Sequence, residues 1–209
     1  MLILALYPFD LAVFMSQSLS QLRHQLRQQR RRVSIFKQRQ AQQQVLSILR
    51  QQAIFKSSQH VGLYLHAFGE IHTHQLILEC FRLGKAVYLP MICNMNQHLV
   101  WVKISQQQYL SRRFAPHRLG MQQAMQSRAK AVSQLDLLIM PLLAADRSGT
   151  RLGMGGGFYD KTLSRAPRKP YRLGLAHEFQ LLENKLTREA WDQPLDALLT
   201  PQVFLKFKR

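Results

Sequence analysis

The sequence predicts an α/β protein whose mainly parallel, Rossmann-like sheet is covered by helices on both faces. Two short apolar runs, Val61–Leu65 and Leu137–Leu143, are typical of strands buried inside such a sheet. Segments with helical spacing alternate with the strand candidates, which favours parallel strands joined by helices. The 209 residues are 46% hydrophobic, enough for a substantial core, and no internal repeat or Pro/Gly-rich linker divides them. We therefore expect a single domain over residues 16–209.

Residues 1–15 are predicted to be an extension of that domain. They are largely apolar, but Asp10 interrupts them, no basic segment precedes them, and they are too short to cross a bilayer. The segment is therefore a poor signal peptide. A polar sequence suited to begin a chain, Met15-Ser-Gln-Ser, follows at once. Two explanations stay open: the assigned translation start lies too far upstream, or the segment packs on the surface of the domain.

Residues 16–56 are predicted to form two helices with a break near Val33-Ser34. Apolar residues such as Ala41 and Val45 recur there at helical spacing, while Gln and Arg fill the other faces. A charged cluster on a helix is most often a solvated face, and this is the starting interpretation of five arginines on the first helix. These arginines are Arg23, Arg27, Arg30, Arg31 and Arg32.

The rest of the chain alternates between helix and strand signals. Thr73 is placed to cap a helix that runs to about Leu83, and Gly84 follows where a left-handed residue ends helices. Further helices are expected at Ser127–Gln134 and Phe158–Arg165. The remaining predicted strands are Ala86–Pro90, His98–Ile104, Tyr171–Ala176 and Ala197–Thr200.

The formal net charge of +18 predicts a surface that attracts anions. Nucleic acid, an acidic membrane surface and a multiply charged small molecule, such as a nucleotide or a polyglutamylated cofactor, all fit, and composition does not choose among them. The two cysteines, Cys80 and Cys93, form no recognisable motif, so neither a disulfide framework nor a cysteine-based zinc site is expected. This use of cysteine fits a reducing cytoplasm.

A glycine-rich segment, Arg151-Leu-Gly-Met-Gly-Gly-Gly-Phe-Tyr-Asp160, follows the strand Leu137–Leu143. Ligands of parallel sheets gather beyond the carboxyl ends of the strands, where this segment is expected. Its glycines let backbone N–H groups surround phosphate oxygens, and Arg151 adds a fixed positive fork. Asp160 can hold a Mg²⁺ that bridges phosphates. The pattern matches neither a Walker loop nor the dinucleotide spacing, and taken alone it is also compatible with a flexible surface turn.

The same segment resembles the signature of the 5-formyltetrahydrofolate cyclo-ligases, also called methenyltetrahydrofolate synthetases. Other segments resemble further parts of this family, in the same order, over roughly residues 20 to 202. They are Leu65-His-Ala-Phe-Gly-Glu-Ile-His-Thr73, Gly84-Lys-Ala-Val-Tyr-Leu-Pro90, Leu135-Asp-Leu-Leu-Ile-Met-Pro141, Gly174-Leu-Ala-His-Glu-Phe-Gln180 and Trp191-Asp-Gln-Pro-Leu-Asp196. The combination is specific, because chance does not align so many separated segments.

The resemblance implies a three-layer α/β/α enzyme that uses ATP and Mg²⁺ to convert 5-formyltetrahydrofolate into 5,10-methenyltetrahydrofolate, with release of ADP and phosphate. Phosphoryl transfer to the formyl oxygen would create a good leaving group, and attack of N10 with loss of phosphate would follow. The protein would then position the substrates and neutralise phosphate charge. A polyglutamylated folate suits the net charge of +18. We expect a monomer with no membrane partner.

The resemblance also implies roles for the arginines of the first helix. Arg23 and Arg27 match a basic pair that contacts ATP, and their i, i+4 spacing places them on one helical face. Arg30, Arg31 and Arg32 keep their interpretation as solvated residues.

The remaining implied site residues lie along the rest of the chain. Leu65 and Glu70 match positions that line the folate site, where a carboxylate accepts hydrogen bonds from the pterin. Asp160 and Asp192 match the Mg²⁺ carboxylates, and Met154 to Phe158 overlap the folate side of the loop. The predicted catalytic residues are Arg151 and Tyr159. The full ATP loop comprises Arg151, Leu152, Gly153, Met154, Gly155, Gly156, Gly157, Phe158 and Tyr159.

Two positions depart from the family pattern. Gly156 stands where some members carry a Lys, so phosphate contacts there must come from backbone N–H groups or from arginines elsewhere. Arg23 stands where a Lys is common, which keeps the charge but changes its geometry. The main alternative function is a basic nucleic-acid-binding protein, suggested by the net charge and the arginine cluster, and nucleic acid is the less favoured partner.

Two other features have ordinary explanations. His72 and His74 form a tempting metal pair, but no third ligand is near them in the sequence, so a zinc site is not expected. Trp101, Tyr109 and Trp191 are expected in the core or partly buried rather than as stacking platforms.

Overall fold

The computed structural model of the protein describes residues 18–93, 98–116, 120, 122–125 and 128–208. The predicted extension, residues 1–15, lies outside these ranges. Its two explanations therefore stay predictions, and so does the domain boundary at residue 16.

The predicted pair of N-terminal helices is confirmed, with the break at the predicted place. Ser18 and Ser34 begin the two helices, and their hydroxyls accept hydrogen bonds from the backbone N–H groups of Gln21 and Lys37. The α-helices of the described residues are α1 (Leu19–Arg31), α2 (Ile35–Gln51), α3 (Ala53–Ser57), α4 (His74–Arg82), α5 (Gln106–Leu110) and α6 (Phe158–Leu163).

Thirteen strands make up the described β structure. They are β1 (His60–Gly62), β2 (Ala86–Ile92), β3 (Leu99–Ile104), β4 (Phe114–Pro116), β5 (Gln122–Ala124), β6 (Ala129–Lys130), β7 (Leu137–Pro141), β8 (Ala144–Asp146), β9 (Arg151–Leu152), β10 (Tyr171–Leu175), β11 (Leu181–Leu182), β12 (Ala197–Leu199) and β13 (Phe204–Lys206).

The central sheet has eight strands in the order β13-β12-β10-β7-β1-β2-β3-β6. The five strands from β12 to β2 are parallel to their neighbours, and antiparallel strands are added at both edges. The predicted mainly parallel sheet is therefore confirmed. Two small sheets accompany it, β11-β8-β9 and the hairpin β4-β5.

Side chains of the central strands alternate between two buried clusters, which gives the three layers. On β7, Leu137 and Ile139 pack with α2 and α4, whereas Leu138 and Met140 pack on the opposite face with Leu163 of α6. Helical elements thus cover both faces, as the sequence predicted. Within the described ranges, none of the helices has both the length and the apolar character that crossing a membrane needs.

Helix α1 packs against the small sheet β11-β8-β9 rather than against the central sheet. Its apolar residues Leu22 and Leu26 contact Leu143, Ala144 and Leu152 of that sheet region. Because β9 leads directly into the glycine-rich segment, this packing sets α1 beside that segment.

Three local predictions need correction. The helix expected over Ser127–Gln134 is instead strand β6 followed by a single 3-10 turn at Val132–Gln134, and Ser127 lies outside the described residues. The strand expected over Val61–Leu65 ends at Gly62. Thr73 precedes α4 as predicted but does not cap it with its side chain, because its hydroxyl donates to the Tyr64 carbonyl at 2.7 Å.

Candidate active site

A cavity of about 1130 Å³ opens beyond the carboxyl ends of β1, β2 and β7. This is larger than the roughly 300–1,000 Å³ of pockets that hold one drug-sized ligand. Helix α1, the glycine-rich segment and the segment from Leu186 to Asp192 form its other walls. The site therefore lies where parallel sheets collect ligands.

The cavity brings together every predicted site residue except Arg27. Arg27 is half-buried on α1, and its Nε donates to the Arg23 carbonyl at 3.3 Å. Its contact with ATP stays a prediction. The predicted residues that line the cavity are Arg23, Leu65, Glu70, Arg151, Leu152, Gly153, Met154, Gly155, Gly156, Gly157, Phe158, Tyr159, Asp160 and Asp192.

The glycine-rich segment forms an open backbone cradle. A Cβ atom added to Gly153 or Gly155 would meet no heavy atom within 4 Å, so nothing inside the protein demands glycine for space there. Gly155 and Gly157 have φ of 100° and 66°, a region that glycine adopts freely. The Nε of Arg23 donates to the Gly153 carbonyl at 3.1 Å and ties the cradle to α1.

Gly156 differs from its neighbours in its surroundings. A Cβ atom there would approach the Phe158 ring to 2.7 Å, so a lysine at this position would require the ring to move. The position of the Phe158 ring therefore favours glycine at position 156, where some family members carry a lysine.

Arg151 and Asp160 form a buried link between the cradle and the segment that follows Trp191. The Nη2 of Arg151 donates to Oδ1 of Asp160 at 2.6 Å, and the backbone N–H of Gln193 donates to the same oxygen at 2.9 Å. The Nη1 of Arg151 donates to the Gln193 carbonyl. Two of the five N–H groups of the guanidinium therefore already have protein partners.

Asp192 lies in the cavity wall near that link. Its Oδ2 accepts a hydrogen bond from the backbone N–H of Glu189 at 2.8 Å, and Glu189 also lines the cavity. In the described part of the chain, no group of three or more His, Cys, Asp or Glu side chains could hold a metal ion.

Glu70 lies in a tight turn that also lines the cavity. Its N–H donates to the Ala67 carbonyl at 3.0 Å, and the central residues Phe68 and Gly69 have φ of 51° and 79°. Two positive φ values define a type I′ turn, in which a phenylalanine is strained. The Ala67 N–H donates to Oε2 of Glu70 at 3.0 Å. We call Ala67–Glu70 the glutamate turn.

Burial raises the pKa of Glu70, and the nearby Arg30 guanidinium opposes part of that rise. Tyr64 and Tyr159 border the same region, and burial, followed by the Glu70 charge, raises the pKa of both phenols above their usual range. Both tyrosines are therefore neutral hydrogen-bond donors at physiological pH.

Arg30 contradicts its prediction as a solvated residue. Its side chain is only 1% exposed and lines the cavity, whereas Arg31 and Arg32 are exposed as predicted. A helical signal was available, because Arg30 follows Arg23 by seven residues and so shares its face of α1. The prediction failed because the loop that covers this face comes from a distant part of the sequence.

The aromatic predictions divide in the same way. Trp101 and Tyr109 are buried in the core as predicted, but Trp191 is 67% exposed and lines the cavity. Phe68 and Tyr64 also line it and were not predicted. Their signal was their position directly after β1, where a parallel sheet places ligand contacts.

Comparison with known proteins decides the family. Residues 15–201 match the profile of the 5-formyltetrahydrofolate cyclo-ligase family. The chain belongs to this family. It is 36% identical to the 5-formyltetrahydrofolate cyclo-ligase of Escherichia coli (strain K12) over 181 residues, which covers 84% of this chain and 96% of that protein. It is 33% identical to the cyclo-ligase of Haemophilus influenzae over 196 residues, covering 88% and 98%.

Solved structures agree with this cyclo-ligase assignment. The NMR structure of Aquifex aeolicus 5,10-methenyltetrahydrofolate synthetase superposes with a TM-score of 0.78 at 28% identity, covering 91% of this chain and 93% of that one. The structure of the Mycoplasma pneumoniae synthetase superposes with a TM-score of 0.70 at 18% identity, covering 88% and 99%, and supports the fold. The resemblance and the three-layer fold are both confirmed.

Proposed function

We propose that this chain converts 5-formyltetrahydrofolate to 5,10-methenyltetrahydrofolate with consumption of ATP. Membership in the cyclo-ligase family supports this reaction. The observation that carries the proposal is this large cavity, since both an open glycine cradle and the Glu70 carboxylate line it. A triphosphate suits the first feature and a pterin with N–H donors suits the second.

Two parts of the cavity wall suit the two substrates. At the cradle, the backbone N–H groups have open space around Gly153 and Gly155, and the half-buried Arg23 supplies positive charge. At the glutamate turn, the carboxylate of Glu70 faces the cavity with one hydrogen bond from Ala67. Leu65 and Phe158 add apolar surface to the same cavity.

Mg²⁺ fits the acidic pair as part of the proposal. Carboxylate oxygens are the ligands that Mg²⁺ prefers, and it completes its shell with water and substrate phosphates. Both described contacts to Asp160 use Oδ1, and the described contact to Asp192 uses its Oδ2. One oxygen of each side chain thus has no described protein partner. A bound Mg²⁺ would neutralise phosphate charge during phosphoryl transfer.

The chain's own residues position and shield the reactants in this scheme. Arg151 holds Asp160 in place, which makes its proposed catalytic role indirect. Tyr159 remains a proposed catalytic residue as a neutral donor near Glu70. A folate bearing a polyglutamate tail, a monomeric state and a cytoplasmic location complete the proposal; both cysteines are free thiols, which suits a reducing compartment.

One assay tests the proposed function. The purified protein is mixed with 5-formyltetrahydrofolate, and methenyltetrahydrofolate absorbance is followed with ATP and Mg²⁺ added or withheld. We expect product only when both are present. A folded protein that makes no ATP-dependent product would overturn the proposal, and nucleic-acid affinity that falls steeply with salt would then favour the alternative.

Asp160→Asn separates a role in turnover from a role in folding. We expect turnover to fall by about 100-fold or more, because a charge that stabilises the transition state is lost. The free energy of unfolding should fall by only about 1–2 kcal/mol, since the ion pair with Arg151 is lost but the amide oxygen still accepts from Arg151 and Gln193. Steady-state kinetics and urea unfolding measure the two quantities.

Asp136→Asn is the matched control for this variant. Asp136 accepts hydrogen bonds from the backbone N–H groups of Gln59 and His60 and does not line the cavity. Its substitution should leave turnover unchanged. Equal losses of turnover and stability in Asp160→Asn would make Asp160 a structural residue.

A further inference from the structure

Arg30 joins helix α1 to the glutamate turn through a buried side chain. Its Nε donates to the Phe68 carbonyl at 3.0 Å, and its Nη1 donates to the Leu142 carbonyl at 3.2 Å. The same Nη1 lies 3.5 Å from Oε1 of Glu70, a distance that makes an ion pair rather than a good hydrogen bond. One guanidinium therefore spans the turn, the end of β7 and the carboxylate.

The backbone of α1 also approaches this turn closely. A Cβ atom on Gly69 would lie 2.3 Å from the Arg30 carbonyl oxygen, so only glycine fits between them. The Gly69 carbonyl accepts hydrogen bonds from Nε2 of Gln38 at 2.8 Å and contacts Nε2 of His177 at 3.1 Å. Other residues thus hold the backbone of the turn, and Arg30 is the cation that reaches its carboxylate.

The polar groups around Glu70 are incompletely paired. Nη2 of Arg30 and the hydroxyl of Tyr64 are buried and make no hydrogen bond within the described part of the chain. Buried polar groups are nearly always satisfied, so two such groups beside one carboxylate indicate a place prepared for a polar partner. A ligand edge that carries both donors and acceptors would supply that partner.

We propose that Arg30 is a positioning residue that orients the Glu70 carboxylate for the folate. This inference rests on the proposed function and adds to it a residue that acts through Glu70. The groups that face Glu70 are Arg30 from α1, Tyr64 after β1 and Tyr159 from α6. Arg30 is the only cation among these three, so its removal leaves only the Ala67 hydrogen bond to oppose the effect of burial on the pKa of Glu70.

A purely structural role for Arg30 makes different predictions. If Arg30 only fastened α1 to the turn, its loss would reduce stability and disturb both substrates alike, because α1 also carries Arg23 at the cradle. If it acts through Glu70, its loss would affect the folate selectively and would shift the pH dependence of that step.

The experiment compares Arg30→Met and Arg30→Lys with the control Arg32→Met, whose arginine is exposed at the end of α1. For Arg30→Met we expect kcat/KM for 5-formyltetrahydrofolate to fall roughly 10- to 100-fold, while KM for ATP changes less than about threefold. The acid limb of the pH profile should move to higher pH, because Glu70 protonates more easily. Arg30→Lys should lose kcat/KM but keep the limb near its wild-type position, since the charge remains. Arg32→Met should match the wild type.

Arg30→Met in the Glu70→Gln background tests the coupling. We expect little further loss relative to Glu70→Gln alone, because the carboxylate through which Arg30 acts is already absent. Should Arg30→Met fail to fold, Arg30→Lys decides the question by its selective loss toward the folate.

Each remaining outcome has a definite meaning. Equal changes in the KM values for ATP and folate, or an unmoved acid limb in Arg30→Met, would overturn the inference while leaving the proposed function intact. A wild-type protein without ATP-dependent product would instead overturn the proposed function, and this inference with it.

Discussion

The side chains of Glu70 and Glu79 are both little exposed, but their contacts with arginines differ. Glu79 on α4 is 4% exposed and receives two forked arginines: Arg50 and Arg82 each donate two hydrogen bonds of 2.8 to 2.9 Å. Glu70 is 12% exposed, yet its arginine stays 3.5 Å away and its described hydrogen bond comes from one backbone N–H.

The pKa values of the two carboxyls move in opposite directions. Hydrogen bonds from Arg82 and Arg50 lower the pKa of Glu79 from its ordinary 4.5 to about 2. Burial raises the pKa of Glu70 instead. When protein donors already occupy the acceptor positions of a carboxylate, it has none left for a ligand. A carboxylate with few protein donors at the edge of a cavity can still accept hydrogen bonds from a ligand. The two glutamates are exposed to a similarly small extent, and the number of protein donors distinguishes the structural residue, Glu79, from the binding residue, Glu70.

Glu70→Gln should produce the largest effect. We expect kcat/KM for the folate to fall about 100-fold, because a charged acceptor is replaced by a neutral amide. Stability should change by no more than about 1 kcal/mol, since the cost of burying the charge and its attraction to Arg30 offset each other. Kinetics and urea unfolding of the same preparation measure both quantities. A variant that loses stability but binds folate as the wild type does would contradict the comparison.

Glu79→Gln should produce the complementary result. We expect a loss of about 1–2 kcal/mol in the free energy of unfolding at pH 7, limited because Arg50 and Arg82 are half-exposed and remain hydrated. Turnover by the folded protein should equal that of the wild type, because Glu79 does not line the cavity. Reduced turnover at full folding would show that Glu79 serves the site after all.

The two glutamates should also have opposite effects on how the free energy of unfolding depends on pH, and these effects should be smaller than those of the substitutions above. The lowered pKa of Glu79 means that its stabilisation is complete above about pH 4.5 and is lost as the pH falls toward about 2. The raised pKa of Glu70 has the opposite sign: its contribution is present below about pH 4.5 and is lost as the pH rises through the folded-state pKa. Urea midpoints between about pH 6 and 3 measure both slopes.

The two variants should alter those slopes in opposite directions. Glu79→Gln should flatten the acid loss of stability, and Glu70→Gln should steepen it, each by less than about 1 kcal/mol over this range. Identical slopes in both variants would contradict the contrast between the two carboxylates.

Much of the fold could be predicted from local patterns. The apolar run of strand β7 and the helical periodicity of α1 and α2 were clear signals, and the structure confirms these elements. The strands that were not predicted are short, with only two or three residues each, too few to show an alternating pattern. They are β4, β5, β6, β8, β9, β11 and β13. Of these, β6 and β11 form through contacts with strands that are distant in the sequence, and a prediction from local sequence patterns has no information on such contacts.

The site divides along the same line. The glycines of the cradle could be predicted from the local composition, and Asp160 could be predicted from its position next to them. Glu70 had no signal of its own beyond the family resemblance. Arg30 was assigned to solvent because its partners Phe68 and Leu142 lie 38 and 112 residues away in the sequence. Whether an arginine is solvated depends on tertiary contacts of this kind.

The two tryptophans give the protein a pair of independent optical reporters. Trp101 is fully buried in the core, and Trp191 is 67% exposed in the cavity wall. Emission from Trp101 should change only when the core unfolds, whereas emission from Trp191 should respond to whatever enters the cavity. A Trp191→Phe variant would leave the folding signal alone, so intrinsic fluorescence can follow ligand entry and unfolding separately without an attached dye.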